Sequence, residues 1–148
     1  PVAISRCGNF YGGGDLNFNR LIPGVIRDIL RNRRPIIRSD GSYIRDFIYV
    51  KDAVSTYLTL IENLNRKEIQ GQAFNFSTEE KNTVLEITNL IIQIMNSNLR
   101  PDILNEAKSE IYEQTLDVSK ARRLLNWQPR YLLREGLTET IEWYKHFF

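Results

Sequence analysis

At 148 residues the chain has the size of one ordinary domain and is long enough to bury a core. Apolar, aromatic and charged fractions of 42%, 11% and 26% exclude a disordered or collagen-like chain, and the apolar runs are far shorter than the ~18 residues that span a bilayer. The net charge of +2 conceals an asymmetry: residues 1–50 hold eight arginines, no lysine and four aspartates, whereas the remainder holds twelve basic and fourteen acidic residues. Basic character carried by arginine alone suits bidentate recognition of phosphate or carboxylate. The single cysteine, Cys7, excludes an intrachain disulfide and fits a reducing compartment. No basic stretch followed by an apolar segment opens the chain, so a cytoplasmic protein is expected.

In chain order, "PVAISRC" (1–7) reads as a buried strand, with Cys7 a buried structural thiol. Gly8, Gly12, Gly13 and Gly14 follow in "GNFYGGG". Their spacing matches neither the dinucleotide fingerprint nor the Walker loop. A structural turn and a loop that lets backbone approach a ligand both remain open, and Asn9 offers that ligand an amide. Leu21, Ile22, Val25, Ile26, Ile29 and Leu30 recur at helical spacing, which predicts an amphipathic helix from about residue 20 to 32 with Pro23 in its first turn. Arg27, Arg31, Arg33 and Arg34 read as its solvated end.

A short strand in "RRPIIRSDGSY" leads to a turn at Asp40-Gly41, and "RDFIYV" (45–50) reads as another strand. Arg45 and Asp46 there form either a structural pair or part of a binding site, and Arg20 and Arg38 are available to join Arg45 on an anion. Asp52 is expected to open a helix whose apolar face carries Ala53, Val54, Tyr57, Leu58 and Ile61. "QAFNFS" gives a strand, and Val84, Ile87, Leu90, Ile91, Ile94 and Met95 mark a further helix. Asp117 caps a helix running to Leu125, and Leu133, Leu137, Ile141 and Tyr144 lie on the stripe of the last one. Trp127 and Trp143 read as core, and His146, the only histidine, as exposed. No spacing of histidine, cysteine or carboxylate suggests a metal site, and the arginine-rich stretch 27–38 lacks the aromatics or motif of a nucleic-acid binder. Strands and helices with short connections give an α/β or α+β class.

Four ordered motifs carry a resemblance that covers the whole chain. "RCGNFYGGGDLNFNRLIPGVI" resembles the strand, Asn-x-Tyr-Gly loop and helix of the extended short-chain dehydrogenase/reductases that modify nucleotide sugars, and "SDGSYIRDFIYVKDAV" resembles their D-G-x-x-x-R-D-F signature. "FNFST" is similar to a Y-N-I/L-G strand end, with serine for glycine, and the segment from "LDVSKARRLLNWQPR" to "ETIEWY" is similar to their closing motif, with Asn126 where glycine is usual. The resemblance implies an α/β fold: the C-terminal part of a Rossmann-type fold plus a small α/β substrate-binding lobe, residues 1–148 forming one substrate-binding region. "GGGD" and "EIYEQTLDVSKAR" look most like the branch that dehydrates CDP-glucose at C4–C6; UDP- and dTDP-sugar epimerases, dehydratases and decarboxylases, and a stand-alone nucleotide-sugar-binding module, are the alternatives.

What the resemblance implies about the site is specific. Asn9 would bind the sugar-nucleotide diphosphate, Arg20 would contact phosphate with Leu21 offering backbone beside it, Arg45 would clamp the diphosphate, and Arg38 would line the base pocket. Asp46 and Asp52 are assigned to strand and helix-cap structure. The family binds NAD through a glycine-rich loop and reacts through Tyr-x-x-x-Lys; neither motif occurs here, and none of the seven tyrosines has lysine four residues on. The chain also opens on proline within an apolar run, and Met95 is its only methionine. It is therefore expected to be the second part of a longer polypeptide, inactive alone, whose NAD is held mainly by the part before Pro1. A homodimer is allowed for that full-length protein.

Overall fold

The chain changes neighbours at Gly8, and the functional architecture is arranged around that step. The computed structural model describes residues 1–107 and 111–148. In order it contains β1 (Ile4–Cys7), β2 (Asn9–Tyr11), α1 (Leu21–Leu30), β3 (Ile36–Ile37), β4 (Ile44–Arg45), β5 (Phe47–Tyr49) and α2 (Val50–Asn63). Then follow β6 (Ala73–Phe76), β7 (Asn82–Thr83), α3 (Val84–Ile94), β8 (Asp102–Ile103), β9 (Glu113–Gln114), α4 (Ser119–Leu125) and α5 (Leu133–Phe147). β1 runs parallel to β6, β2 to β5 and β3 to β8, while β4 lies between antiparallel β7 and parallel β9.

At the step itself, the Gly8 N–H donates to the Phe76 carbonyl at 3.1 Å, and the next N–H, that of Asn9, donates to the Asp46 carbonyl at 2.7 Å. One peptide thus hands the chain from the β6 side to the β5 side. A Cβ on residue 8 would stand 2.9 Å from both the carbonyl and the carboxylate oxygen Oδ1 of Asp46, a distance no real side chain tolerates, so the crossing needs glycine.

Helical periodicity accounts for the packing. α1 buries Ile22, Val25 and Ile26, which meet Ile87 and Ile91 of α3, Leu137, Ile141 and Tyr144 of α5, and Tyr11 and Tyr49. A second cluster joins Ile48, Leu60, Phe74 and Phe76 to Ala121, Leu125 and Trp127. Each fully buried side chain of this size contributes about 1.5–3 kcal/mol. α3 begins on a reciprocal capping box, in which Thr83 accepts from Glu86 N–H and Glu86 accepts from Thr83 N–H. α4 begins where the Asp117 carboxylate accepts the Ser119 N–H at 2.7 Å. It ends on Asn126 at φ 51°, a left-handed position that asparagine tolerates nearly as well as glycine.

Several elements depart from the sequence-based expectation. "RDFIYV" is two strands in two sheets, because the buried Asp46 ends β4 and starts the turn into β5. α2 begins at Val50, and Asp52 does not cap it. Its carboxylate is fully buried and accepts the N–H groups of Arg130 at 2.9 Å and Tyr131 at 3.2 Å. Of the apolar face expected on α2 only Ala53 is buried; Val54, Tyr57, Leu58 and Ile61 are exposed. β1 is not a buried strand either, since Val2 and Ile4 are exposed. Trp127 is core and donates its indole N–H to Ser55, but Trp143 is partly exposed and lies against Gly13 and the Phe147 ring. No helix among the described residues is long and apolar enough to cross a membrane.

Candidate functional site

A cleft of about 780 Å³ opens where the β1–β6 and β2–β5 pairs part, between the Cys7–Tyr11 backbone, α1 and the segment around β3. Ligands of α/β folds bind in such crevices, beyond the carboxyl ends of parallel strands at the point where the strand order changes. Asn9, Arg20, Leu21, Arg38 and Arg45, the five residues singled out in the sequence, all line this cleft. They come from β2, from the N-terminus of α1, from the loop after β3 and from β4, so only the folded chain brings them together. Phe18, Ile36, Phe47, Val84 and Leu104 add apolar wall. Apolar walls with a few fixed polar groups are the usual make-up of a small-molecule site.

Four arginines face the cleft, and each is held differently. Arg20 precedes α1 with an extended backbone, and its Nη1 donates to Asp15 Oδ2 at 3.1 Å. Arg27 donates through Nε and Nη2 to Asp28 Oδ1, which also accepts from Arg33. Arg45 donates through Nη1 to the carbonyls of Ile44 and Ile111 at 2.9 and 2.7 Å, and its guanidinium lies 5.5 Å from the centre of the Tyr43 ring. The Arg45–Asp46 pair considered from the sequence does not form. The Arg38 guanidinium makes no hydrogen bond or ion pair among the described residues, which leaves it open to an incoming anion. Such permanently charged forks suit phosphate or carboxylate oxygens.

Arg27 was read as part of a solvated helix end; it instead pairs with Asp28 and borders the cleft, because the apolar side of α1 turns this edge inward. Arg31 stands over the Phe148 ring and Arg34 pairs with Asp102, so that stretch is tied down rather than free. Cys7 likewise corrects the sequence reading. It is half-buried and lines the cleft, with Sγ 3.2 Å from Ser5 Oγ. His146 is exposed, as expected.

The glycine loop serves as a structural turn. Gly13 packs against Trp143, where a Cβ would fall 2.4 Å from the ring, and Gly14 turns the chain at φ +90°. That turn delivers Asp15, with Asn17 and Asn19 following: Asp15 accepts the Asn17 N–H and Asn17 accepts the Asn19 N–H. Asp15 and Asn19 line the cleft and were missed from the sequence. The spacing Asp-x-Asn-x-Asn was the available signal, since Asx side chains accept from the backbone two residues on.

Tyr11 in the cleft wall, and Tyr49 and Asp46 near it, are pushed toward their neutral forms. Burial, with Tyr49 beside it, raises the Tyr11 phenol well above its ordinary value, and burial followed by the Glu139 contact does the same for Tyr49. Burial also raises the Asp46 carboxyl, against hydrogen bonds from Ser77 and Leu116 that favour its ionised form.

The family model described as "NAD dependent epimerase/dehydratase family" matches residues 1–76. The CDP-glucose 4,6-dehydratase of Salmonella typhimurium is 32% identical to the chain, over 97% of the chain and 41% of that protein. The dTDP-D-glucose 4,6-dehydratase of Bos taurus is 29% identical over 100% of the chain and 42% of its own length. Among solved structures, UDP-glucuronic acid 4-epimerase of Bacillus cereus, in complex with UDP-4-deoxy-4-fluoro-glucuronic acid and NAD, superposes with a TM-score of 0.89 at 25% identity, covering 100% of the chain and 46% of that structure. UDP-glucose 4-epimerase of Thermotoga maritima, with UDP-glucose, gives 0.85 at 26% identity, covering 98% and 46%. The chain therefore spans less than half the length of these relatives. Its fold is α/β, the C-terminal part of a Rossmann-type fold.

Proposed function

Because the chain belongs to the NAD-dependent epimerase/dehydratase family, we propose that it is the nucleotide-sugar-binding portion of a cytoplasmic NAD-dependent 4,6-dehydratase acting on CDP-glucose. The net reaction is CDP-glucose to CDP-4-keto-6-deoxyglucose plus water. The observation that supports this reading best is the convergence of Asn9, Arg20, Leu21, Arg38 and Arg45 on one cleft. In it, Arg20 and Arg45 clamp the diphosphate, Asn9 hydrogen-bonds it, Leu21 offers backbone, and Arg38 borders the base. Fixing the nucleotide end converts the encounter of sugar and catalytic groups into a positioned, effectively unimolecular one.

NAD chemistry, the acceptance and return of a hydride, is assigned to polypeptide outside residues 1–148. The glycine loop does not fit a dinucleotide pyrophosphate, since Gly8 is packed against Asp46 and Gly13 against Trp143. None of the seven tyrosines is followed by lysine at the fourth position, so the base that would deprotonate the sugar is also assigned elsewhere, and the chain alone is inactive. The dTDP-sugar relatives at 29–31% identity, so close to the 32% of the CDP-glucose enzyme, favour a second reading in which the same cleft takes a dTDP- or UDP-sugar.

An amide-resolved NMR titration of the chain with CDP-glucose, using UDP-glucose as control, tests both. Selective shifts at Asn9, Arg20 and Arg45 with the cytidine sugar are expected. Equal shifts with the uridine sugar would transfer the site to the second reading, and a dispersed spectrum that neither ligand moves would remove the site.

A further inference from the structure

We propose that Asp15 is the exchangeable counter-ion of Arg20, which an incoming nucleotide diphosphate displaces, so that this carboxylate sets how tightly the cleft holds its ligand. The inference rests on the reading of the cleft as a diphosphate site.

The two partners differ in how firmly they are held. Asp15 is fixed at three points. Its Oδ1 accepts the Asn17 N–H at 3.0 Å, its carbonyl accepts the Tyr144 hydroxyl of α5, and Gly13, two residues earlier, is pressed against the Trp143 ring. The Asp15 side chain is only 19% exposed. Arg20 is fixed only by its backbone, whose N–H donates to the Asn17 carbonyl. Its side chain is 61% exposed and reaches Asp15 through the single contact from Nη1 to Oδ2. The arginine is therefore the member that moves, and Asp15 is a stationary anion against which it rests.

Both residues border the same cleft. A diphosphate carries more charge than one carboxylate and accepts the guanidinium fork bidentately, so it outcompetes Asp15 for the guanidinium. While the cleft is empty, Asp15 holds Arg20 at the rim. Once the ligand arrives, Arg20 has to leave this ion pair, and the loss of that contact lowers the affinity. The neighbouring pair provides the contrast. Asp28 is held by both Arg27 and Arg33 through three contacts, so Arg27 is not poised to exchange in the same way.

Asp15→Asn isolates the charge, because the amide oxygen still accepts the Asn17 N–H and keeps the turn. Calorimetric titration of the chain with CDP-glucose is expected to show Asp15→Asn binding about two- to fivefold tighter than wild type, the range an exposed ion pair is worth. Arg20→Ala is to bind more weakly, and Asp15→Asn added to Arg20→Ala is to give no further gain, which separates an effect through Arg20 from a general change of charge. Far-ultraviolet circular dichroism checks that each variant is folded. Unchanged or weaker binding by Asp15→Asn, or an undiminished gain in the double variant, overturns the proposal while the diphosphate site stands. If wild type does not bind, or Arg20→Ala binds as well as wild type, the reading of the site itself falls and takes this inference with it.

Discussion

Asp46 is the residue on which the local geometry turns, and it is under tension. Its backbone carbonyl accepts Asn9 across the crossing, its Oδ2 accepts the Leu116 N–H at 3.2 Å, and its Oδ1, buried against Gly8, has no partner among the described residues. A buried carboxylate with one oxygen unsatisfied is costly when ionised, which is why burial raises its pKa. A carboxyl raised in the folded state binds its proton more tightly folded than unfolded. Its contribution to stability is therefore full below the unfolded value and is lost as pH rises through the folded value. Asp46→Asn cannot ionise, so its stability relative to wild type should improve as pH rises above about 4, the ordinary aspartate value, until the folded carboxyl has ionised. Urea unfolding at several pH values measures this, and a difference that stays constant with pH would show that Asp46 does not titrate in that range.

Elements are joined here by carboxylates in places that periodicity does not reveal. Asp52 ties the first turn of α2 to the loop that leads into α5 by accepting two backbone N–H groups. Asp52→Ala leaves both donors without an acceptor and should cost about 3–6 kcal/mol, at roughly 1.5–3 kcal/mol per hydrogen bond to a charged group. Asp52→Asn, which keeps one acceptor, should cost about half as much; equal stability of all three proteins in urea would show that solvent replaces the clamp. This clamp also marks the limit of what the sequence discloses. The five helices among the described residues are legible because apolar residues recur every three or four positions, and the Asp40-Gly41 turn because Gly41 must take φ +87°. By contrast, β8 and β9 are two residues each and exist only because Ile36–Ile37 and β4 pair with them, so no window of sequence contains their cause. The division of "RDFIYV" at Asp46 is hidden for the same reason, since alternation within a strand does not say that its two halves belong to different sheets. The candidate site was legible through motif resemblance rather than pattern, and Asp15 escaped because its role depends on Tyr144 and Trp143 far along the chain.

At the scale of the whole molecule, the outer face of α2 is an apolar surface left in solvent. Periodicity identifies Val54, Tyr57, Leu58 and Ile61 as one stripe but not what the stripe touches, and they are 52%, 49%, 54% and 67% exposed. Beside them a groove of about 150 Å³ runs between α2 and β1, lined by Ala3, Ser5, Tyr57, Leu60, Ile61 and Leu64. β1 itself pairs only with β6 among the described residues, and its first residue Ile4 and the nearby Val2 are exposed. A contiguous apolar patch next to an open strand edge is a surface that water disfavours, and the relatives that share this fold keep more than half of their length outside the matched region. Uncovered, the face should make the 148-residue chain self-associate and bind a hydrophobic dye. Leu58→Lys combined with Ile61→Lys should suppress both, because the charges stand in solvent, while stability stays within about 0.5 kcal/mol of wild type as for other exposed positions. Light scattering, dye fluorescence and urea unfolding decide it. Retained association in the variant would place the sticky surface elsewhere, whereas a loss of several kcal/mol would mean that α2 turns this face inward in solution.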